Sequence, residues 1–306
     1  MRQRIANSGA AVEIDAFESE DTCISREELL KRVKGCSGIF CLYTDTIDEE
    51  LLDAAGPSLR VVSDHACRAR KIHVGHTLGV LDVAVAETAV ALTFATKRRI
   101  LECAASAKNG EWGVWQPFQY CGTDVTGSTV GVVGLGRIGA TYAGMLKNGF
   151  NCKILYTGPR EKPEVAKSLG GEPGSVEYVD METLLRESDI VSLHQLLTEA
   201  TRGSIGAKEL ALMKPNAVLI NTGRGELVDQ DALVEALKNK QIAAAGLDAT
   251  TPEPLPPSHP LFSLENCIVL PHVGSASTKT RQVMAQIAVD NVLAGVTGRS
   301  SRTRPR

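Results

Sequence analysis

Thr129-Val-Gly-Val-Val-Gly134-Leu-Gly136-Arg-Ile-Gly139 is an apolar, β-rich run that breaks into Gly-x-Gly-x-x-Gly and passes into the helix-period stretch ATYAGMLKNGF (140–150). Glycines at this spacing mean little alone. Between a strand and a helix they mark a turn built to hold a dinucleotide pyrophosphate. Gly134 permits the tight turn, Gly136 lets the backbone approach the phosphates, and Gly139 lets helix and strand pack closely. Amides at the helix N-terminus then face the phosphate charge.

Outward from this motif, short apolar runs alternate with helix-period segments, the pattern of a parallel sheet wrapped by helices. Together with Thr129–Val133, the runs Cys152–Tyr156, Ile190–Leu193, Ala217–Asn221, Ala244–Leu247 and Cys267–Leu270 predict a six-stranded, doubly wound α/β sheet. Upstream, residues 82–108 predict one long helix ended by Asn109-Gly110. Before it, residues 11–17, Gly38–Tyr43, Leu59–Ser63 and Ile72–Val74 predict the strands of a smaller unit. The capping box Ser25-Arg-Glu-Glu28 and the stretch from Asp48 to Ala55 supply its helices. A helix over 278–294 can pack back on that unit, making it discontinuous in sequence.

The chain has 306 residues, 43% hydrophobic and 23% charged, with a formal charge of −3. Those are the proportions of a soluble globular protein long enough for two cores. No basic stripe or aromatic-plus-arginine platform points to nucleic acid. No uncharged apolar stretch is long enough to span a bilayer, and the polar start, 1–10, does not read as a secretory signal. Eight cysteines, none in a Cys-x-x-Cys pair and most inside apolar runs, predict buried free thiols in a reducing, cytoplasmic setting, with no metal site. The Ser/Thr/Arg/Pro-rich stretch 298–306 reads as a frayed tail.

Which nucleotide is favoured depends on the end of the second strand, Leu155-Tyr-Thr-Gly158-Pro-Arg160-Glu-Lys162. An NAD site places an acid there for the ribose 2′-hydroxyl; here the strand end has none, and two cations follow. Arg160 and Lys162 can neutralise a 2′-phosphate, so NADP(H) is expected ahead of NAD(H). A solvated turn with incidental charges is the competing reading, and Glu161 could still serve the ribose.

Three further apolar runs end in reactive side chains. Arg224 lies between Gly223 and Gly225 just past a strand, where open α/β sheets bind ligands, and its planar fork suits a carboxylate beside a carbonyl. Glu253 is held on a stiff segment between Pro252 and Pro254. His272 follows a strand and precedes the turn at Gly274. Singly, each has a plain alternative: an exposed arginine, a loop acid, a structural histidine. Jointly they meet the needs of 2-oxo acid reduction, namely a cation for the substrate, a proton donor, and a carboxylate to keep that donor charged.

At these residues the chain resembles the D-isomer-specific 2-hydroxyacid dehydrogenases, and among them the glyoxylate/hydroxypyruvate reductases. The likeness is carried by VGVVGLGRIG (130–139), LYTG (155–158), LINTGRGELVDQDALVEAL (219–237), AAAGLDATTPEPLP (243–256) and VLPHVGSAS (269–277), and extends over most of 85–295. It implies two flavodoxin/Rossmann-type domains with parallel sheets and an active site in the interdomain cleft. The expected division is a substrate-binding domain of 1–84 plus 277–306 and a dinucleotide-binding domain of 85–276, in a homodimer. By resemblance Arg224 binds the substrate carboxylate and carbonyl, His272 exchanges the proton, and Glu253 orients and charges it. Gly136, Arg137, Ile138, Arg160 and Thr222 would touch cofactor. Asp248 would lie near nicotinamide and substrate, with Gly274 and Ser275 beside the substrate.

The expected activity is NADPH-dependent reduction of hydroxypyruvate or glyoxylate. Two departures bear on it. Residues 1–9 lack the apolar run with which relatives begin. The stretch 64–73 is shorter than in relatives and lacks their carboxylate-cradling glycine loop, leaving His65, Arg68 or Arg70 as substitutes. A catalytically impaired nucleotide-binding isoform, or a redox-sensing interaction protein on the same scaffold, is therefore the alternative.

Overall fold

A computed structural model describes residues 12–19, 22–41, 45–62, 72–77, 79–170 and 174–298. The chain divides at Leu81/Asp82 and again at Ala276/Ser277, giving one unit from the two ends and another from Asp82–Ala276.

In the first unit the Ser25 hydroxyl accepts the Glu28 amide at 3.2 Å and opens α1 (Arg26–Arg32). Glu28 does not complete the capping box; its carboxylate accepts from Arg32 Nε at 3.0 Å instead. Asp48 caps α2 (Glu49–Ala55). β1 (Val61–Val62) and β2 (His73–Val74) pair in parallel, and Gly38 bridges to Val61. The strand expected over 11–17 is not found at its described residues, 12–17, which alternate in burial but pair with no described neighbour. A pleated pattern becomes a strand only where a partner edge exists. The strand expected over Gly38–Tyr43 shrinks to that single bridge, its last two residues lying outside the described set.

The second unit opens with α3 (Asp82–Lys97) and α4 (Ile100–Lys108), not with one helix. Arg99 takes a left-handed φ of 53°, and the Lys97 carbonyl accepts the Thr123 amide at 2.9 Å. Gly122 lies so close that a β-carbon would come 2.1 Å from that oxygen. Tertiary contact breaks a segment that contains no glycine or proline to break it from within.

There follow β3 (Thr129–Val133), α5 (Arg137–Phe150), β4 (Lys153–Thr157), α6 (Pro163–Ser168), β5 (Val176–Tyr178), α7 (Met181–Glu187), β6 (Ile190–Leu193), α8 (Ala207–Leu212), β7 (Val218–Asn221), α9 (Gln230–Lys238), β8 (Ala244–Leu247) and β9 (Cys267–Val269). The strands form one parallel sheet, ordered β5-β4-β3-β6-β7-β8-β9. The seventh strand, β5, escapes sequence reading because it is three residues long, at an edge and only partly buried. Both faces are covered. Val130, Val132, Ile154 and Tyr156 pack into one core, while Val133, Leu155, Val191 and Leu193 pack into the other. Double coverage is why these strands read as continuous apolar runs. The chain then returns to the first unit through α10 (Thr278–Thr297), which packs on β1 at Gly295, where a β-carbon would come 2.4 Å from Val61 Cβ.

The expectation of buried thiols needs correcting. Cys152 alone among the described cysteines is buried, Cys23 and Cys121 are exposed, and the other described ones are intermediate. Cys41 follows the single Gly38 bridge to Val61, not an interior strand, and is only half-buried. Among the described residues no helix is long and apolar enough to cross a membrane.

Candidate active site

One row of residues crosses six strands. Val133 pairs with Thr157 on one side and Leu193 on the other; Leu193 pairs with Asn221, Asn221 with Leu247, and Leu247 with Val269. Neighbours in such a row are about 4.8 Å apart. The residues selected from sequence for chemistry in this unit lie just beyond it: Arg160 and Lys162 after β4, Gly134 to Gly139 after β3, Thr222 and Arg224 after β7, Asp248 and Glu253 after β8, and His272, Gly274 and Ser275 after β9. Strand order reverses between β3 and β6, the switch point at which open parallel sheets bind ligands.

At the glycine turn the three positions differ. Gly134 has φ 97°, and a β-carbon there would meet the Gln195 amide nitrogen at 2.7 Å; one on Gly139 would lie 2.3 Å from the Gly134 carbonyl oxygen. Gly136 faces open space. The protein's own packing thus requires glycine at the outer two positions, and room for a ligand accounts for the middle one. Gly136 also caps α5 without a side-chain bond, so the first amides of the helix stay available to an anion. The Thr222 hydroxyl is buried with no hydrogen-bond partner among the described residues, as a group that awaits a ligand would be. These features fit a dinucleotide.

Its neighbours are arranged less simply than the sequence implies. Arg137 Nε donates to Asp82 at 2.8 Å. Lys162 Nζ donates to the Leu135 carbonyl at 3.0 Å, lying over the glycine turn. Arg160 is exposed and makes no ion pair among the described residues. His194, at the end of β6, bonds Ser192 Oγ through Nε2 at 2.8 Å and packs on the Tyr142 ring. Removal from water pushes this imidazole down to about 3. It is a satisfied wall residue.

His272 Nδ1 lies 2.8 Å from Glu253 Oε2, and the other oxygen of that carboxylate accepts the Thr250 amide at 3.0 Å. Asp248, expected near nicotinamide and substrate, also has a structural task. Only 2% exposed, its two oxygens accept the Val273 and Gly274 amides at 2.7 Å each. Burial pushes its carboxyl up, against those amides and the nearby His272. Asp248 is therefore the clamp of the loop that carries His272. The Gly274 amide, expected beside substrate, is engaged by that clamp. Ser275 is half-buried.

Arg224 is exposed and its Nη1 donates to the Gly223 carbonyl at 2.8 Å. Its loop is shaped by Asn221, fully buried, which accepts the Gly223 amide at 3.0 Å and donates to the Arg224 carbonyl at 2.9 Å. Sequence reading missed Asn221, although a polar residue closing the apolar run AVLIN is a signal. The substitute anion binders His65, Arg68 and Arg70 lie outside the described residues.

Comparison with known proteins fits this geometry. Residues 90–274 match the family described as D-isomer specific 2-hydroxyacid dehydrogenase, NAD binding domain. The chain is 44% identical over 299 residues to a glyoxylate reductase/hydroxypyruvate reductase of Mus musculus, covering 94% of this chain and 89% of that one. It is 42% identical over 306 residues to the Homo sapiens protein of the same name, covering 96% and 92%. A crystal structure of a Thermus thermophilus protein superposes with a TM-score of 0.88 at 40% identity, covering 98% of this chain and 94% of that one.

Proposed function

The chain belongs to the D-isomer-specific 2-hydroxyacid dehydrogenase family, and from that premise we propose that it reduces hydroxypyruvate and glyoxylate to the corresponding 2-hydroxy acids. The contact that carries this reading is His272 Nδ1 on Glu253 Oε2 at 2.8 Å, just beyond the strand ends that present the glycine turn and Arg224. When bound in reduced form, the nicotinamide supplies a hydride to the 2-oxo carbon. Glu253 fixes the imidazole orientation, which leaves Nε2 to give its proton to the substrate oxygen. Arg224 turns its guanidinium from the Gly223 carbonyl to the substrate carboxylate and carbonyl, a paired acceptor that matches its fork. Asp248 and Asn221 hold the loops on which these groups stand. The test is NADPH absorbance with hydroxypyruvate, glyoxylate and pyruvate, alongside nucleotide binding; binding without turnover would overturn the reading in favour of an impaired isoform.

NADPH is the preferred donor in this reading, because Arg160 is a cation without an ion-pair partner among the described residues, just past β4, where the sequence offers no acid at the strand end. Arg160→Ala should weaken NADPH about tenfold or more, one charge-assisted contact, and NADH by less than about twofold. Equal losses would sink the phosphate assignment. The working form is a homodimer: Trp112, Val114, Trp115 and Phe118 are 73–88% exposed on one loop, an apolar surface that association would cover. A single-chain mass by light scattering would contradict this. Exposed thiols at Cys23 and Cys121 suit a reducing compartment such as the cytosol, and fractionation to an oxidising one would argue against it.

A further inference from the structure

The peptide unit joining Thr250 to Thr251 is held from two sides by the segment that follows Arg224. On one side is Gly225: a β-carbon there would lie 2.0 Å from the Thr250 carbonyl carbon, 2.1 Å from its oxygen and 2.5 Å from the Thr251 nitrogen. On the other is Gln230, the first residue of α9 and only 8% exposed. Its Oε1 accepts the Thr251 amide at 2.8 Å and its Nε2 donates to the Thr251 carbonyl at 2.5 Å. A side-chain amide that satisfies both polar groups of one residue acts as a short length of neighbouring strand.

That peptide unit has a chemical consequence. The Thr250 amide, one residue back, donates to Glu253 Oε1, and Glu253 Oε2 lies on His272 Nδ1. The Thr250 hydroxyl also donates to the Pro252 carbonyl at 3.1 Å, closing the turn. The Thr250 amide lies in the preceding peptide plane, which is hinged to this one at the Thr250 Cα, so a shift of the held unit carries Thr250 and displaces the amide that aims the carboxylate. Among the described residues, the other carboxylate beside His272 and Glu253 is Asp248, which is committed to the Val273 and Gly274 amides. Glu253 is the one whose aim depends on this turn.

We propose that Gln230 is a positioning residue for the reaction, holding the Glu253 carboxylate on His272 Nδ1 through the Thr250–Thr251 peptide unit. The proposal rests on the reductase reading for its kinetic part and on geometry alone for its spectroscopic part. The Gln230 amide is buried and spent on Thr251, so it acts through that segment. It couples the loop of the guanidinium to the loop of the acid pair, so that the two loops form one piece.

The experiment compares Gln230→Leu and Gln230→Glu with Leu233→Ala, a control on the same helix whose side chain is fully buried. A proton on Nδ1 that is donated to a carboxylate gives a low-field resonance, assigned here by its loss in His272→Asn. It should vanish or broaden in Gln230→Leu, weaken in Gln230→Glu, which keeps the acceptor for Thr251 and loses the donor, and persist in Leu233→Ala despite that variant's lower melting temperature. Turnover of hydroxypyruvate should fall about tenfold or more in Gln230→Leu, a cost typical of a misplaced acid, with KM and NADPH affinity within about twofold. An unchanged resonance in a folded Gln230→Leu, or its equal loss in Leu233→Ala, would overturn the proposal. If Gln230→Leu fails to fold, Gln230→Glu decides alone. A wild-type protein that turns over none of the 2-oxo acids would end the reductase reading, while the resonance would still decide the role of Gln230.

Discussion

Replacing His272 by Ala should lower kcat/KM for hydroxypyruvate by about 10²–10⁴, the contribution of a positioned general acid, and change NADPH affinity by less than about threefold. The reason for expecting separation lies in the loop. Its backbone is held by Asp248 through the Val273 and Gly274 amides and does not depend on the imidazole. His272 itself stands at φ 53°, a left-handed conformation that Asn and His tolerate better than Ala. His272→Asn should therefore lose as much turnover as His272→Ala and keep a higher melting temperature. Steady-state kinetics with separate nucleotide titration checks both. Parallel loss of turnover and NADPH binding would show that the residue holds the site together and does not transfer the proton.

Gly225→Ala should destabilise the Asp82–Ala276 unit by about 3 kcal/mol, the upper range for overpacking. Its β-carbon would be driven into the Thr250 carbonyl, which is backbone and cannot swing aside as a flexible side chain would. For a unit of this size the melting temperature should fall by about 6–12 °C. Whatever fraction remains folded must push Thr250–Thr251 away from the Arg224 loop, so activity should drop further than the folded population does. Calorimetry together with activity per folded molecule measures the two effects. A variant with native melting temperature and native kcat would mean that the loops part without penalty.

The sheet and most of the candidate chemistry were legible for local reasons. An apolar run followed by Gly134, Gly136 and Gly139 has one good structural solution, and parallel strands covered on both faces show themselves as runs such as Ile190–Leu193 and Val218–Asn221. Arg224, Glu253 and His272 stood out because each is a polar group placed just after such a run. Other features were hidden because their causes are distant in sequence. Nothing between Asp82 and Lys108 breaks a helix; the break comes from Gly122 and Thr123 closing on the Lys97 carbonyl. The 12–17 stretch has the alternation of a strand and pairs with no edge among the described residues.

By itself, the order of residues determined that a dinucleotide turn, a guanidinium, a carboxylate and an imidazole would each follow a buried strand. Only the tertiary structure decided which backbone groups fix them. Asn221 closes its own loop, Asp248 reaches 25 and 26 residues ahead to the amides after His272, and Gln230 reaches 21 residues to Thr251. Local pattern encodes whether a segment is strand or helix, because that depends on neighbours three or four residues away. Partners across a sheet depend on register and strand order, which are settled only when the whole core packs.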